Sequence, residues 1–93
     1  MLEIEMRDGE LVLAGRFDAS QLEKAVPVLE SINGSVIADL SRLDYISSAG
    51  IGALVKTYKR LRASGHGIKL VNATPHVKNV FHYAGLDRVM GLE

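Results

Sequence analysis

The period of the apolar residues changes several times along this chain, and that change restricts the fold more than any other feature of the sequence. In "LEIEMR" apolar and polar residues alternate, which is typical of a strand with one buried face. Asp8-Gly9 follows as a predicted hairpin turn, and "ELVLAGRF" is predicted to be the returning strand. From residue 20 onward, segments with a helical period alternate with short apolar runs.

Three segments have a helical period. Ser20, followed by Glu23, predicts a capping box ahead of "QLEKAVPVLESI". A second helix is expected to begin near Ser48, where apolar residues start to recur every three or four positions. Thr74-Pro75 predicts the start of a third helix, which Gly85 should end.

Two β-branched apolar runs separate these helices. "SVIADL" predicts a buried strand, with a loop over residues 41–46 leading to the second helix, and "IKLVNA" predicts another strand. A last short strand is expected in "DRVMGLE". The order β-β-α-β-α-β-α-(β) predicts an α/β fold, a small mixed β-sheet covered by helices with right-handed crossovers.

Length and composition favour one small globular domain over residues 1–93, because a chain of 93 residues has no room for a second core. With 47% hydrophobic and 24% charged residues, disorder is not expected. The absence of cysteine excludes a disulfide framework or a thiolate metal site. No segment resembles a signal peptide or a membrane span, so we expect a cytoplasmic protein without membrane insertion.

The net charge of zero is unevenly distributed. Residues 1–44 hold nine acids and four bases, a net −5, whereas residues 45–93 hold two acids and seven bases, a net +5. Lys56, Lys59, Arg60 and Arg62 lie within seven residues. The solvated face of an amphipathic helix explains this cluster better than a surface for an acidic partner does. Nucleic-acid binding is not expected, since it requires a more basic domain.

The stretch "SSAGIGAL" places small residues at the start of the second helix. Ser47 and Ser48 fall where backbone amides lack partners and the helix dipole is positive. Gly50 and Gly52 each cost about 1 kcal/mol relative to alanine in a helix, so close approach of a strand or of another molecule should compensate. The serines could cap the helix, bind a ligand's phosphate, act as a nucleophile or accept a phosphate.

Ligand binding and catalysis are the weaker of these four interpretations. The stretch "SSAGIGAL" lacks the lysine and Ser/Thr that directly follow the last glycine of a phosphate-binding loop. The third glycine of a dinucleotide-binding motif is missing, and no G-x-S-x-G motif is present. His66 is predicted in a turn, and the spacing of His76 and His82 is wrong for a metal pair. We therefore expect no catalytic residues, no metal and no cofactor. A phosphate on Ser48, by contrast, would meet free helix amides without unfolding the domain, and would disrupt a partner docked there.

The arrangement "LAGRFDAS…VIADLSRLDYISSAGIGALV" resembles the STAS domain, the fold of anti-sigma factor antagonists and of the cytoplasmic tail of sulphate transporters. The resemblance extends from about Leu11 to Leu86 and includes the "AGLDRV" that ends the third helix. Its strongest parts are Gly15-x-x-Asp18, the apolar run ending in Asp39-Leu40, and residues 48–52.

This resemblance implies a regulatory binding module rather than an enzyme. Ser48 matches the phosphoacceptor serine of the antagonists, and Asp18 matches an acid that the family places near it. The implied partner is an anti-sigma factor with serine-kinase activity, and a serine phosphatase would reverse the modification. The residues implied to bind the partner are Asp18, Ser47, Ala49, Gly50, Ile51 and Gly52.

Two departures from the family pattern support an alternative. Ser47 replaces the acid that often precedes the phosphoacceptor, and Ser47 is itself an alternative acceptor. The chain ends soon after the expected last strand, where many antagonists continue into another helix. Short STAS proteins of this kind also brace the ATPase of lipid-transport ABC systems without being phosphorylated. Apolar residues near 86–93 leave room for a homodimer as well.

Overall fold

The computed structural model describes residues 1–86, 90 and 92, and its elements follow the predicted order. The strands are β1 (Leu2–Arg7), β2 (Glu10–Phe17), β3 (Val36–Ile46) and β4 (Ile68–Val71), and the helices are α1 (Leu22–Glu30), α2 (Ser48–Ala63) and α3 (Pro75–Tyr83). The strand predicted in "DRVMGLE" falls largely on residues 87–89, 91 and 93, which lie outside the described residues.

The four strands form one mixed sheet, as predicted, and their order in it is β1-β2-β3-β4. β1 and β2 pair antiparallel, and β2, β3 and β4 run parallel to one another. Asp8 and Gly9 form the predicted hairpin turn with φ values of 51° and 82°, the left-handed conformation that such a two-residue turn requires. Parallel β2 and β3 therefore end at the same edge of the sheet.

The helices bury one face of the sheet. Alternate residues of the strands enter the core, among them Leu2, Leu11, Leu13, Val36, Ala38, Leu40, Leu70. The residues between them lie on the opposite face of the sheet, where Glu3, Glu5 and Lys69 are exposed. The strand predicted in "SVIADL" is present and is buried on one face, because Ile37, between buried Val36 and Ala38, remains 43% exposed.

β3 is longer than the sequence predicted. The loop expected over residues 41–46 is part of the strand, which continues to Ile46. Its pairing with β2 shifts register twice, between Val12 and Ala14 and between Gly15 and Arg16, and the shifts break the alternation that identifies a strand. The Asp39 carboxylate accepts a hydrogen bond from the Ser41 amide at 2.9 Å where the first shift occurs. The longer strand delivers the chain directly to the start of α2.

The predicted Ser20–Glu23 capping box was also wrong. Ser20 lies in a short 3₁₀ turn, Ala19–Gln21, and the side chain that caps this turn belongs to Asp18. Gln21 precedes α1 and makes no side-chain cap, because its Oε1 instead accepts a hydrogen bond from the Leu2 amide at 3.0 Å. The side chain of Gln21 thus ties the start of α1 to β1.

The start of α3 confirms its prediction. Thr74 is the N-cap residue and Pro75 the first helical residue, with the Thr74 Oγ1 accepting from the Val77 amide at 3.4 Å. The same oxygen donates to the Leu43 carbonyl at 3.3 Å and so joins α3 to β3. Gly85 follows the helix with φ of 72°, a conformation typical of a helix end.

We expect the Thr74→Ala variant to lose about 1 kcal/mol of unfolding free energy, the usual cost of removing a helix cap. Thr74→Ser keeps the hydroxyl and should retain most of that stability. Urea denaturation of both variants measures the difference. Equal losses in the two variants would show that the methyl group of Thr74, rather than its hydroxyl, stabilises this junction.

Candidate functional site at the start of α2

The two residues that follow β2 and β3 are neighbours at one edge of the sheet. Phe17 and Ile46 are paired at the ends of these parallel strands. Asp18 directly follows β2 and Ser47 directly follows β3, so the two residues lie side by side. The Ser47 amide donates to the Phe17 carbonyl at 2.9 Å and extends the pairing by one bond. The predicted proximity of Asp18 to the serine turn is therefore a consequence of the β2–β3 register.

Ser47 is the N-cap residue of α2. Its backbone is extended, with φ of −90° and ψ of 172°, and its Oγ accepts a hydrogen bond from the Gly50 amide at 3.3 Å. Its carbonyl accepts the first helical bond, from the Ile51 amide at 2.9 Å. Both oxygens of Ser47 are thus used to start the helix.

Ser48, the first residue of α2, differs from Ser47 in both exposure and bonding. Its side chain is exposed, and within residues 1–86, 90 and 92 its hydroxyl has no hydrogen-bond partner. In the same part of the chain, the amides of Ser48 and Ala49 are also unbonded, and the first turn contains no acidic side chain. The positive end of the helix dipole is therefore uncompensated beside the Ser48 hydroxyl.

The two glycines of the turn have different structural roles. A Cβ at Gly50 would lie 2.8 Å from the Phe17 carbonyl oxygen and 2.9 Å from both the Phe17 ring and the Ile46 side chain. Gly50 is therefore required by close packing of α2 on the sheet. At Gly52 no atom beyond the adjacent residues and the nearby backbone of α2 lies within 4 Å of the added Cβ, so no packing neighbour within the described chain requires a glycine there.

Asp18 is partly exposed and directs its carboxylate toward its own turn. The Ser20 hydroxyl donates to the Asp18 carboxylate, as does the Ser20 amide at 3.0 Å, and these bonds hold the pKa of Asp18 below its usual value. The ionised carboxylate therefore stabilises the fold at neutral pH, and this contribution is lost as the pH falls through the lowered pKa. Asp18 lies beside Ser47 where β2 and β3 end, but its carboxylate is hydrogen-bonded within the 3₁₀ turn.

The residues predicted to bind a partner divide into two groups. Ser47, Ala49 and Gly52 are at least partly exposed, and Asp18 lies beside them. Gly50 and Ile51 are buried, since both face the sheet. Gly50 and Ile51 thus position the turn, while the other four residues and Ser48 form the accessible surface, which we call the serine-turn surface.

An aromatic stack lies at the same edge of the sheet and was not predicted. The Arg16 guanidinium carbon is 4.2 Å from the centroid of the Tyr45 ring, which stacks on His76 with centroids 6.0 Å apart and ring planes 23° apart. These residues come from β2, β3 and α3. Only the Arg16–Tyr45 register, unavailable before the fold is known, brings the first two together.

Other site chemistry is limited in the described part of the chain. His66, His76 and His82 are all exposed. Within residues 1–86, 90 and 92, no group of three or more His, Cys, Asp or Glu side chains is arranged to hold a metal ion. No helix in that part combines the length and the apolar character needed to cross a membrane.

The sequence matches the family described as "Mlab, STAS domain" over residues 1–92. BtrV of Bordetella bronchiseptica, which carries the name anti-sigma factor antagonist, is 33% identical over 90 residues. That alignment covers 90% of this chain and 78% of BtrV. The match to the family therefore extends well beyond the serine turn.

Solved structures show the same fold. A structure from Thermotoga maritima superimposes with a TM-score of 0.80 at 20% identity, covering 99% of this chain and 85% of the other. The anti-sigma factor antagonist SpoIIAA in its unphosphorylated form gives a TM-score of 0.70 at 24% identity, covering 100% and 99% of the two chains. Bacillus SpoIIAA in its phosphorylated form gives 0.69 at 22% identity, covering 100% and 91%.

Alanine at the two glycines should have opposite effects on stability. We expect Gly50→Ala to lower the free energy of unfolding by about 1–3 kcal/mol, because its Cβ overlaps backbone and ring atoms that cannot move away. Gly52→Ala should raise it by up to about 1 kcal/mol, the difference in helix propensity. Thermal and urea unfolding of both variants test this, and a loss of stability in Gly52→Ala would contradict the open surroundings of that residue.

Proposed function

This chain belongs to the STAS domain family, and we propose that it is an anti-sigma factor antagonist whose partner binding is switched off by phosphorylation of Ser48. The observation that carries the proposal is the exposed Ser48 hydroxyl, which lacks a hydrogen-bond partner in the described structure and stands at an uncompensated helix start. Relatives with the name of antagonist, BtrV among them, support the regulatory class. In this role the protein is a binding regulator and a kinase substrate in the cytoplasm, not an enzyme.

The proposed partner is an anti-sigma factor with serine-kinase activity. It binds the unphosphorylated serine-turn surface and transfers the terminal phosphoryl group of ATP to the Ser48 oxygen, releasing ADP and the hydroxyl proton. A serine phosphatase hydrolyses the phosphate ester and restores binding. Gly52 supports a close partner contact, because it lies one helical turn after Ser48 and its open surroundings leave room for another chain.

The geometry explains how a phosphate would remove the partner without unfolding the domain. Phosphoserine carries between −1.5 and −2 charges, roughly, at neutral pH, and the free amides of Ser48 and Ala49 favour an anion at this position. A partner packed against the same turn would meet added bulk and negative charge. The names of the SpoIIAA structures show that this relative exists in both states, which supports a fold that tolerates the phosphate.

Residue 47 is a serine where the family often has an acid, and this difference is compatible with the proposed role. Aspartate and serine both cap helices through a side-chain oxygen, and the Ser47 Oγ serves as that oxygen here. Phosphorylation of Ser47 would instead remove the cap from the Gly50 amide. We therefore propose Ser48 as the acceptor and Ser47 as the residue that positions it.

A second candidate is a constitutive scaffold, such as the subunit that braces an ABC-transporter ATPase. The observation that favours it is the absence of an acid at residue 47, which a kinase that reads this position would require. Such a scaffold would use the same serine-turn surface without phosphorylation.

Incubation with ATP and the serine kinase encoded nearest to this chain's gene tests the first candidate. We expect one phosphate, which mass spectrometry of peptides should locate on Ser48, and no transfer to Ser48→Ala. Ser47→Ala is the matched control and should still be phosphorylated, although its helix is less stable. No transfer, combined with stable co-purification of an ATPase subunit, would favour the scaffold.

Aspartate at residue 48 should separate partner binding from folding. We expect Ser48→Asp to raise the free energy of unfolding by about 0.3–1 kcal/mol, because a negative charge offsets the helix dipole. Its affinity for the kinase should fall by at least about tenfold through repulsion and desolvation at the contact. Calorimetric titration and urea denaturation measure the two effects.

Ser48→Asn is the matched control, since its amide has nearly the size of the carboxylate and no charge. It should retain most of the affinity. Equal losses for the two variants would mean that size alone blocks the partner, and an unchanged affinity in Ser48→Asp would contradict the switch.

A further inference from the structure

The interface between α1 and α2 contains a cleft of about 270 Å³, and none of its lining residues belongs to the serine-turn surface. Val26 and Leu29 of α1 and Ala53 of α2 supply its apolar lining. Small-ligand sites in proteins occupy roughly 300–1,000 Å³ and combine apolar walls with a few polar groups. The cleft is therefore slightly smaller than this range, which restricts an occupant to a short apolar chain.

Two basic side chains of α2 flank the apolar lining. Lys56 and Arg60 are one helical turn apart and both line the cleft. Lys56 is exposed, and within the described residues its ammonium group makes no hydrogen bond or ion pair. The cleft thus has a cation available to a ligand at its rim.

Arg60 is held in place by a contact across this interface. Its Nη2 donates to the Leu29 carbonyl at 2.9 Å, near the end of α1, which fixes the guanidinium beside the apolar lining. One hydrogen bond leaves other N–H donors of the guanidinium for a ligand oxygen. A cation already fixed in position loses little conformational freedom when it binds an anion.

The remaining polar groups of the cleft limit the charge of an occupant. Thr57 is buried, and its hydroxyl is satisfied by the Ala53 carbonyl at 2.9 Å. Glu30, on the α1 side, is the acidic residue of the lining, so the three charged side chains sum to +1. This balance favours an occupant with a single negative charge.

We propose that the α1–α2 cleft binds a small amphipathic monoanion, a carboxylate with a short unbranched apolar chain. The chain occupies the lining formed by Val26, Leu29 and Ala53, and the carboxylate lies between Lys56 and Arg60. An acidic segment of a partner protein would place several charges beside Glu30, so the observed balance favours the single carboxylate. The proposal stands independently of the Ser48 switch, because none of the lining residues belongs to the serine-turn surface.

Sodium decanoate, kept below its micelle concentration, is the probe that tests this site. In a titration of ¹⁵N-labelled protein we expect saturable amide shifts confined to residues 26–30 and 53–60. Decyltrimethylammonium has the same chain with the opposite charge, and it should bind at least about fivefold more weakly, since the flanking cations repel it. No saturation, shifts centred elsewhere, or equal binding of the cation would overturn the proposal.

Three variants distinguish binding of decanoate in the cleft from non-specific attraction to the basic side chains of α2. Lys56→Gln should weaken decanoate binding by about two- to fivefold, the range that one partly exposed ion pair supplies. Lys59→Gln removes the same charge from the same helix outside the cleft and should leave the affinity unchanged. Ala53→Leu should fill the cleft and weaken binding by at least about tenfold. A loss in Lys59→Gln equal to that in Lys56→Gln, or full binding by Ala53→Leu, would contradict the site.

Discussion

The contact between the start of α2 and the end of β2 determines how the rest of the candidate site is arranged. Gly50 lies so close to Phe17 that any side chain would overlap its carbonyl oxygen and ring, and the Ser47 amide bonds the same carbonyl. Together these contacts fix where the helix begins and how it is rotated about its axis. Because Ser47 is committed to the cap, Ser48 is the serine that remains available.

The rotation fixed by this contact gives α2 one buried face and one exposed face. Ile51, Leu54 and Leu61 are buried in the core that α2 shares with the sheet. Ser48, Gly52 and Lys56 follow one another at four-residue spacing on the exposed face. A charge added to the exposed face is therefore separated from the core, so the proposed phosphate on Ser48 would leave the fold intact.

Elements with a clear period and a local end signal could be predicted from the sequence. Thr74-Pro75 and Gly85 mark α3 through the backbone chemistry of their own residues, and Asp8-Gly9 marks its hairpin in the same way. β3 was predicted too short, because its register shifts interrupt the alternation that a period analysis detects. These shifts depend on pairing with β2, a segment distant in sequence.

The candidate site was predictable in position but not in the roles of its residues. Gly50 and Gly52 were both identified from the sequence as unusual in a helix. For each of them, the sequence allowed close approach of either a strand or another molecule. Only the packing distances assign Gly50 to the sheet and leave Gly52 open to solvent or a partner. Likewise, Ser20 matched a capping box in spacing, yet Asp18 is the residue that caps the turn. Tertiary contacts decided between local alternatives that the sequence alone presents as equivalent.

The central claim is that a phosphate on Ser48 removes a partner while the domain keeps its structure. Amide spectra of ¹⁵N-labelled protein, recorded before and after phosphorylation and then with the kinase added, test both halves of this claim in one sample. The account predicts shifts limited to residues near 18–20 and 47–52 after phosphorylation, and loss of the complex. Shifts throughout the core, or a complex that persists with Ser48 fully phosphorylated, would contradict it.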